Sequence, residues 1–306
     1  MAGPLSHIKV LDMSRVLAAP WAAQNLADLG ADVIKIERPV KGDDSRAYAP
    51  PFLKDQNGKE TKESAYFCAA NRGKRSITVN LTKPEGQQLV RELAAQADVL
   101  LENYKVGDLA RYGLGYEDLA KINPGLIYCS VTGFGQTGPY KDRPGYDFMA
   151  QGMGGLMYIT GMPGQGPVRA GIAVADVGAG LHCAIGILIA LLERESSGQG
   201  QWISTSLLQA MISMCDFQAA RWTLAKDVPG QAGNNHPTSI PTGVFKTKDG
   251  YINIAASGDH IYKRFCESVK APELLTDPKF SSGKLRAQNR DALNAEIGRA
   301  SCRERV

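Results

Sequence analysis

One carboxylate stands in a stretch of the chain that is otherwise small or apolar. The segment "GPVRAGIAVADVGAGLHCAIGILIALL" (166–192) has Asp176 as its single acidic residue. A lone buried Asp is usually a structural hydrogen-bond acceptor. Asp176, however, directly precedes an apolar run that begins at Val177. It is therefore a candidate N-cap whose ionised form the helix dipole would favour. An ionised carboxylate in a tight, apolar and accessible place can act as a nucleophile.

Basic side chains recur at the ends of the predicted strands and in the loops between them. These cations are Arg38, Arg72, Lys74, Arg75 and Arg111. If the strands form one sheet, several cations could converge on one edge and hold a polyanion such as a nucleotide phosphate. For each cation taken alone, a solvated surface charge is the favoured interpretation. The chain has no GxGxxG, GxxxxGK[ST], GxSxG or HExxH motif, so nicotinamide, P-loop, serine-hydrolase and metal chemistry all lose support.

Alternating strands and helices must position these groups. A strand in "IKVLDMS", a helix in "PWAAQNLADLG" that starts near Pro20 and stops at Gly30, and a strand in "ADVIKIE" form a βαβ unit. The pattern continues with "RSITVNL", a helix with Thr82 and Glu85 as a candidate capping box, "DVLLEN", "YEDLAKI" and "GLIYCSVTG". We predict an α/β fold with a Rossmann-like parallel sheet covered on both faces.

The pattern of predicted helices and strands changes in the second half of the chain. An apolar helix from Asp176 to Glu195 precedes the strand-like "GQWISTS" and one long helix in "LLQAMISMCDFQAARWTLA". Two strands around the turn "KTKDG" then begin a smaller α+β domain. We predict a large Rossmann-like domain at 1–205, a helical linker at 206–236 and an incomplete small domain at 237–296. Residues 297–306, "IGRASCRERV", match a reading frame of a common sequencing adaptor, and we expect them to be an artefact.

Composition limits the classes of partner. The 306 residues are 43% hydrophobic with a net charge of +4, which is too mild a bias to predict nucleic-acid binding. The six cysteines include no CxxC pair, which favours reduced thiols in the cytoplasm. The N-terminus lacks the features of a signal peptide. The apolar run Val177–Leu192 is about one turn short of a bilayer span, so we interpret it as a buried helix and predict no membrane association.

Several long motifs, in order, make the chain resemble the class III CoA-transferases, the family of formyl-CoA transferase and the carnitine CoA-transferases. The resemblance runs from Ile8 to Asp291 and rests on "VLDMSRVLAAPWAAQNLADLGADVIKIERP", "GDDSR", "NRGKRSITVNL", "ADVLLENYKVGDLARYGLGYEDL", "PGLIYCSVTGFGQTGP", "RPGYD" and "RAGIAVADVGAG". Blocks such as "GDDSRAYAPPF" and "VFKTKDGYI" look most like members that use succinyl-CoA and act on dicarboxylates. Oxalate, formate, hydroxymethylglutarate and mesaconate remain open as acceptors.

The resemblance implies a covalent mechanism and a set of CoA contacts. Asp176 would attack an acyl-CoA thioester to give a mixed anhydride and then an aspartyl-CoA thioester, from which CoA passes to an acceptor carboxylate. CoA is thus a substrate, and no permanently bound cofactor is implied. By the same resemblance Leu17 and Ala18 would line the pantetheine path, and Arg38 and Arg111 would hold phosphates. The remaining contacts would be Val79, Leu81 and Thr82 around the adenine, Asn103, Tyr104 and Lys105 beside it, and Arg143 and Tyr146 near the thioester.

The family also implies a homodimer of two chains threaded through each other as interlocked rings. Its C-terminal part normally returns to the large domain, and we expect this chain to lack that segment and to expose apolar surface. The glycine run that closes the site of the formyl-CoA enzyme is replaced here by "NNHPTSIPTG".

Two alternatives remain open. One is an isomerase like the α-methylacyl-CoA racemases, although their GHD histidine is replaced here by Tyr146 in "PGYD". The other is a non-catalytic CoA- or nucleotide-binding protein.

Overall fold

The fold is built on a parallel β-sheet. The computed structural model describes residues 3–48 and 50–301. The strands within these residues are β1 (Lys9–Asp12), β2 (Asp32–Glu37), β3 (Phe52–Lys54), β4 (Glu60–Ser64), β5 (Arg75–Thr78), β6 (Val99–Glu102), β7 (Ile127–Thr132), β8 (Trp202–Ser206), β9 (Thr242–Lys246) and β10 (Tyr251–Ala255). Six of these described strands form the main sheet, in the order β5–β2–β1–β6–β7–β8 and all parallel. The predicted α/β class with a parallel sheet is therefore confirmed.

Helices cover both faces of the sheet, as a parallel sheet requires. The described α-helices are α1 (Ala18–Asp28), α2 (Ala65–Asn71), α3 (Pro84–Ala94), α4 (Tyr116–Ile122), α5 (Asp147–Met153), α6 (Leu156–Ile159), α7 (Val174–Ser197), α8 (Leu207–Met214), α9 (Asp216–Ala225), α10 (Asp259–Ser268), α11 (Glu273–Thr276), α12 (Gly283–Gln288) and α13 (Arg290–Ser301). One face packs on α1, α7 and α8, and the other on α3 and α4.

The strand order reverses between β1 and β6. Val10 of β1 lies between Val33 of β2 and Val99 of β6, and the chain builds outward from this point in both directions. The loops that follow two such strands diverge and leave a crevice at their carboxyl ends. The segments after Asp12 and Glu102 therefore border the position where this kind of sheet binds ligands.

Helix α7 forms much of the core on one face of the sheet. Its side chains Ala179, Cys183 and Ile187 are buried in the cluster that α1 and α8 share. Its backbone approaches α1 closely at Gly180, where a Cβ would lie only 2.5 Å from the carbonyl oxygen of Ala18. Glycine at position 180 thus allows the two helices to pack in backbone contact.

Helix α7 has 24 residues and a mean hydropathy of 2.0 over its most apolar window, so by length and composition alone it could cross a membrane. It begins before Val177 and ends after Leu192, and the interpretation of a helix too short to span a bilayer is therefore wrong. Of that window, 44% is buried inside the structure. The opposite side exposes the apolar side chains Leu181, Ile185, Ile189 and Leu192.

Two sequence-based boundaries are wrong. The segment predicted as one long helix is divided into α8 and α9 at Cys215, because Asp216 adopts a positive φ of 43°. The capping box predicted for α3 does not form. The Thr82 hydroxyl instead donates to Asn80 Oδ1 (2.8 Å), and the helix starts after Lys83 with Pro84 in its first turn.

The described chain divides into two compact units. The first contains the residues up to Leu156 together with Arg169–Asp227, and the second contains Met157–Val168 together with the residues from Val228 onward. These bounds differ from the predicted 1–205, 206–236 and 237–296, because α8 packs on α7 and so belongs with the sheet.

The second unit has its own core around the antiparallel pair β9–β10 and the helices α10–α13. Arg286 lies at its centre with 1% of its surface exposed and donates to the carbonyl oxygens of Ile240, Phe280 and Ser257. Helix α13 continues into the adaptor-like segment as far as Ser301, and Ile297 is buried in this core. Residues 302–306 of that segment, including Cys302, lie outside the described residues. The origin of the segment stays a prediction.

Candidate active site

A cavity of about 280 Å³ lies in the first unit at the carboxyl end of the sheet. The segments after β1, β6 and β7 and the first turns of α1, α5 and α7 form its walls. Its charged lining residues are Arg15, Lys105, Lys141, Asp142, Arg143, Asp147 and Asp176. The lone carboxylate found in the sequence therefore lies in a cavity bordered by the switch point of the sheet.

Asp176 lies in the first turn of α7 and is not its N-cap. The helix begins at Val174, and Ala173 occupies the cap position without a side-chain hydrogen bond. The cap comes from another helix, since Asp147 Oδ1 accepts from the backbone N–H of Ala175 (2.8 Å) and of Asp176 (3.4 Å). The N-cap prediction is wrong because the carboxylate of Asp147 already occupies these free N–H groups.

The surroundings of Asp176 favour its protonated form. Burial, and secondarily the nearby carboxylate of Asp147, raise the pKa of Asp176 from 3.8 to about 7. The expectation that the helix dipole favours ionisation is therefore not met, since desolvation of the carboxylate outweighs it. A carboxylate with this pKa is more basic than an ordinary Asp and is still about half ionised near neutral pH.

Asp147 is itself held in place from two sides. It is 9% exposed at the start of α5, and its second oxygen accepts from the side-chain amide of Gln151 (2.7 Å). Gln151 in turn accepts from the backbone N–H of Ala170 (3.0 Å). Asp147 was missed in the sequence, although it directly follows Tyr146 in the motif "RPGYD".

The segment Ser14–Val16 forms the cavity wall after β1. Asn103, which follows β6, holds Arg15 by both backbone groups: its Oδ1 accepts from the Arg15 N–H (2.9 Å) and its Nδ2 donates to the Arg15 carbonyl (2.7 Å). Asn103 was predicted beside the adenine of CoA. Its amide does line the cavity, but both of its polar atoms are engaged by the protein backbone.

Buried charges lie under this segment. Lys35 and Lys74 are each 1% exposed in their side chains and contact Asp12, at 3.9 and 2.7 Å, respectively. Lys35 also lies 2.9 Å from Asp43. Burial alone would raise the pKa of Asp12, but the two lysines hold it at about 2. The group is thus a paired, hydrogen-bonded cluster of the kind that tolerates burial.

Arg15 is a cavity residue that the sequence interpretation did not include. Its guanidinium lies 5.3 Å from the ring centre of Tyr104 and donates to Asp44 Oδ2 (3.2 Å). Its Nε is buried and has no hydrogen-bond partner among the described residues. The signal for Arg15 was its place in "DMSRVLAAP", directly after a strand that ends at the ligand-binding edge.

The structure brings together most of the predicted site residues. Asp176 shares the cavity with Leu17, Ala18, Asn103, Tyr104, Lys105, Arg143 and Tyr146. The cavity-lining residues Lys105, Lys141 and Arg143 have no ion-pair partner within residues 3–48 and 50–301, so their charges are available to an anion.

Five predicted CoA contacts lie elsewhere. Val79 is 5% exposed, within the core on the other face of the sheet, with Leu81 packed against the same core. Thr82 is bonded to Asn80, and Arg111 is exposed and paired with Asp108.

Arg38 borders a second, more open cavity of about 620 Å³, which Lys41, Arg46 and Lys62 also line. Asp44 accepts from both Arg38 and Arg15, so one carboxylate links the two cavities.

A loop from Gly133 to Gly145 carries Lys141 and Arg143 to the cavity. Its two ends touch, since a Cβ on either glycine would collide with the Cα of the other. Within the loop, the Arg143 guanidinium lies 4.2 Å from the ring centre of Tyr140, which packs edge-on against Phe134. This stacking orients Arg143 at the rim of the cavity.

Comparison with known proteins shows the family of the chain. The sequence model of CoA-transferase family III matches residues 5–305. The chain is 46% identical over 287 residues to the succinate–glutarate CoA-transferase of Agrobacterium fabrum, covering 94% of this chain and 72% of the relative. It is 44% identical over 290 residues to the succinyl-CoA:glutarate CoA-transferase of Mus musculus, covering 95% of this chain and 65% of the relative. The chain thus spans about two thirds of the length of these curated relatives.

The fold of the chain is also similar to that of a solved structure. The crystal structure of a CAIB/BAIF family protein from Brucella suis superposes with a TM-score of 0.87 at 44% identity, covering 100% of this chain and 80% of that one. With the family match across nearly the whole chain, this identifies the chain as a member of CoA-transferase family III.

Proposed function

We propose that the protein transfers CoA from succinyl-CoA to a dicarboxylate such as glutarate through covalent steps on Asp176. The observation that carries this proposal is the position of Asp176, a carboxylate of raised pKa in a cavity whose rim bears unpaired cations. The names of the two curated relatives support the choice of donor and acceptor. Both substrates are dicarboxylates in their free-acid form, so cations at the rim suit the carboxylate that does not react.

The proposed chemistry needs no atom from outside the two substrates. The carboxylate of Asp176 attacks the thioester carbonyl, a C–O bond forms, the C–S bond breaks, and CoA leaves as a thiolate. The thiolate attacks the Asp176 carbonyl of the resulting mixed anhydride, which releases succinate and leaves an aspartyl-CoA thioester. The acceptor carboxylate then displaces CoA from Asp176, and the thiolate attacks the acceptor's acyl carbon to regenerate Asp176.

The basicity of Asp176 suits both halves of this cycle. A carboxylate with a pKa of about 7 is a stronger nucleophile than one with a pKa of 3.8. Arg15, Lys141 and Arg143 line the same cavity as Asp176. Their positive charges stabilise the negative charge that accumulates when two anionic substrates react in turn. Arg15 and Arg38, joined through Asp44, suit the phosphates of CoA along a path out of the cavity.

Trapping the covalent intermediate tests the proposal directly. The protein would be incubated with succinyl-CoA, treated with hydroxylamine and analysed by peptide mass spectrometry. We expect a hydroxamate on Asp176 that is absent from Asp176→Asn. Asp142→Asn is the matched control, because Asp142 is an exposed carboxylate on the same cavity and should leave the adduct unchanged.

Two other outcomes would contradict covalent transfer. CoA binding with an unmodified Asp176 would favour a CoA-binding protein without activity. Exchange of the α-proton of an acyl-CoA in D₂O would favour the racemase alternative. That alternative has less support, because no histidine is among the described residues that line the cavity.

We also propose that the protein acts as a homodimer. The exposed apolar side of α7, with Leu181, Ile185, Ile189 and Leu192, supports burial against protein, since large apolar patches are uncommon on monomers. Light scattering coupled to size exclusion would test this, and a monodisperse monomer would contradict it.

A further inference from the structure

Val16 has a backbone conformation that its side chain disfavours. Its φ is +69°, in the left-handed region, where a β-branched residue is a genuine outlier. Val16 lines the cavity of Asp176 and lies two residues before the start of α1. Strained residues of this kind persist only where their surroundings hold them, and they concentrate at functional sites.

The buried ion pair between Asp43 and Lys35 stabilises this conformation of Val16. Both oxygens of Asp43 accept from the Val16 N–H, at 3.1 and 3.3 Å. Lys35 lies 2.9 Å from Asp43 and donates to the carbonyl oxygen of Ser14 (2.8 Å). The pair thus binds the N–H of the Arg15–Val16 peptide and the carbonyl of the Ser14–Arg15 peptide.

Asn103 holds the two remaining groups of the same peptides. It accepts from the N–H of Arg15 and donates to the carbonyl of Arg15. Each of the two successive peptides is therefore bonded at both its N–H and its carbonyl oxygen by side chains from other parts of the sheet. These four contacts favour one conformation of the segment, because rotation of either peptide would break the hydrogen bonds that it makes.

The fixed segment determines where α1 starts relative to the nucleophile. Leu17 and Ala18 follow Val16 directly and form the cavity wall. The carbonyl oxygen of Ala18 packs against Gly180, which lies one helical turn after Asp176 on α7. A change of φ at Val16 would redirect α1 at its contact with α7 and so change the distance from this wall to Asp176.

We propose that Asp43 and Lys35 are positioning residues that keep Val16 left-handed and thereby hold Leu17 and Ala18 at the working distance from Asp176. The inference rests on the proposed function. It assigns the buried ion pair a role in the rate of acyl transfer and none in contact with the substrate.

A rescue experiment tests this role. Asp43→Asn should lower kcat by roughly tenfold or more, because a left-handed non-glycine residue is disfavoured by about that factor. KM for succinyl-CoA should change little. Val16→Gly removes the side chain that opposes the conformation, since glycine adopts positive φ readily. With Val16→Gly as the reference, we expect the double variant to recover most of the kcat that Asp43→Asn loses in the wild-type background.

Asp32→Asn is the matched control. Asp32 is an exposed carboxylate at the opposite end of β2, and its loss should leave kcat unchanged. A fall in kcat that Val16→Gly does not restore, or no fall in kcat for Asp43→Asn, would overturn the inference.

Amide exchange separates this inference from the proposed function. In Asp43→Asn, peptides covering 13–18 should lose protection against hydrogen exchange, and this can be measured whatever reaction the protein catalyses. If wild type forms no adduct on Asp176, the proposed function fails. If protection of 13–18 is unchanged in Asp43→Asn, the positioning role fails, even in an active enzyme.

Discussion

Replacing Asp176 by Asn should stabilise the protein at alkaline pH and leave its stability at acid pH unchanged. Burial raises the pKa of Asp176 from 3.8 to about 7, so the native state keeps a proton that the unfolded chain loses above pH 4. A raised pKa gives a stabilising contribution that is complete below pH 3.8 and is lost as pH rises through 7. Asn, which is neutral and nearly isosteric, escapes this loss.

The size of the effect follows from one proton. Between pH 3.8 and 7 the stability of wild type relative to Asp176→Asn falls by roughly 1.4 kcal/mol per pH unit. Because the slope diminishes as the pH approaches 7, Asn should gain about 2 kcal/mol between pH 5 and pH 7, and the gain should level off above pH 7. Glu102, whose pKa burial also raises to about 7, is present in both proteins and cancels in the difference.

Urea unfolding of both proteins at pH 5, 6, 7 and 8 measures this difference in free energy of unfolding. Asp142→Asn serves as the control, because it replaces an exposed carboxylate on the same cavity. A difference between Asp176→Asn and wild type that does not change with pH would refute the reasoning. It would show that Asp176 is ionised in the native state at no extra free energy.

Three further perturbations have clear expected outcomes. The acid limb of kcat/KM should be centred near pH 7, and Asp147→Asn should move it to lower pH in a rate profile, since the change removes the carboxylate that helps to raise the pKa of Asp176. Gly145→Ala should abolish most activity, because the added Cβ would collide with Gly133 and open the loop that carries Arg143. Unchanged activity and an unchanged melting temperature would contradict this expectation. Arg286→Ala should destabilise the second unit by roughly 3 kcal/mol or more in urea unfolding, since it leaves buried carbonyl groups unpaired.

The sheet and the position of Asp176 as a candidate site residue could be predicted from the sequence because their signals are local. Short apolar runs such as "ADVIKIE" specify strands, and a single acid in an apolar segment attracts attention wherever it lies. The break at Cys215 could not be predicted, because no glycine or proline marks it and Asp216 takes its positive φ without a local signal. The Thr82 capping box failed for a similar reason, since Asn80 lies close enough to bind the same hydroxyl.

The environment of Asp176 depends on contacts distant in sequence. The carboxylate that caps α7 is Asp147, 29 positions before Asp176. The groups that hold Val16 come from β2, from the loop after it and from the segment after β6. Such pairings are fixed only when the sheet has formed, so periodicity and motif spacing cannot reveal them.

Because Asp147 of another helix caps α7, the segment around Asp176 cannot be moved to another protein with its cap. Ala173, at the cap position itself, makes no side-chain hydrogen bond, so the segment "VADVGAG" contains Asp176 but not the group that anchors it. Grafted alone onto another scaffold, that segment would begin as a frayed helix with an ordinary aspartate at its end. A designer who wishes to move Asp176 in its present environment must move a second helix with it.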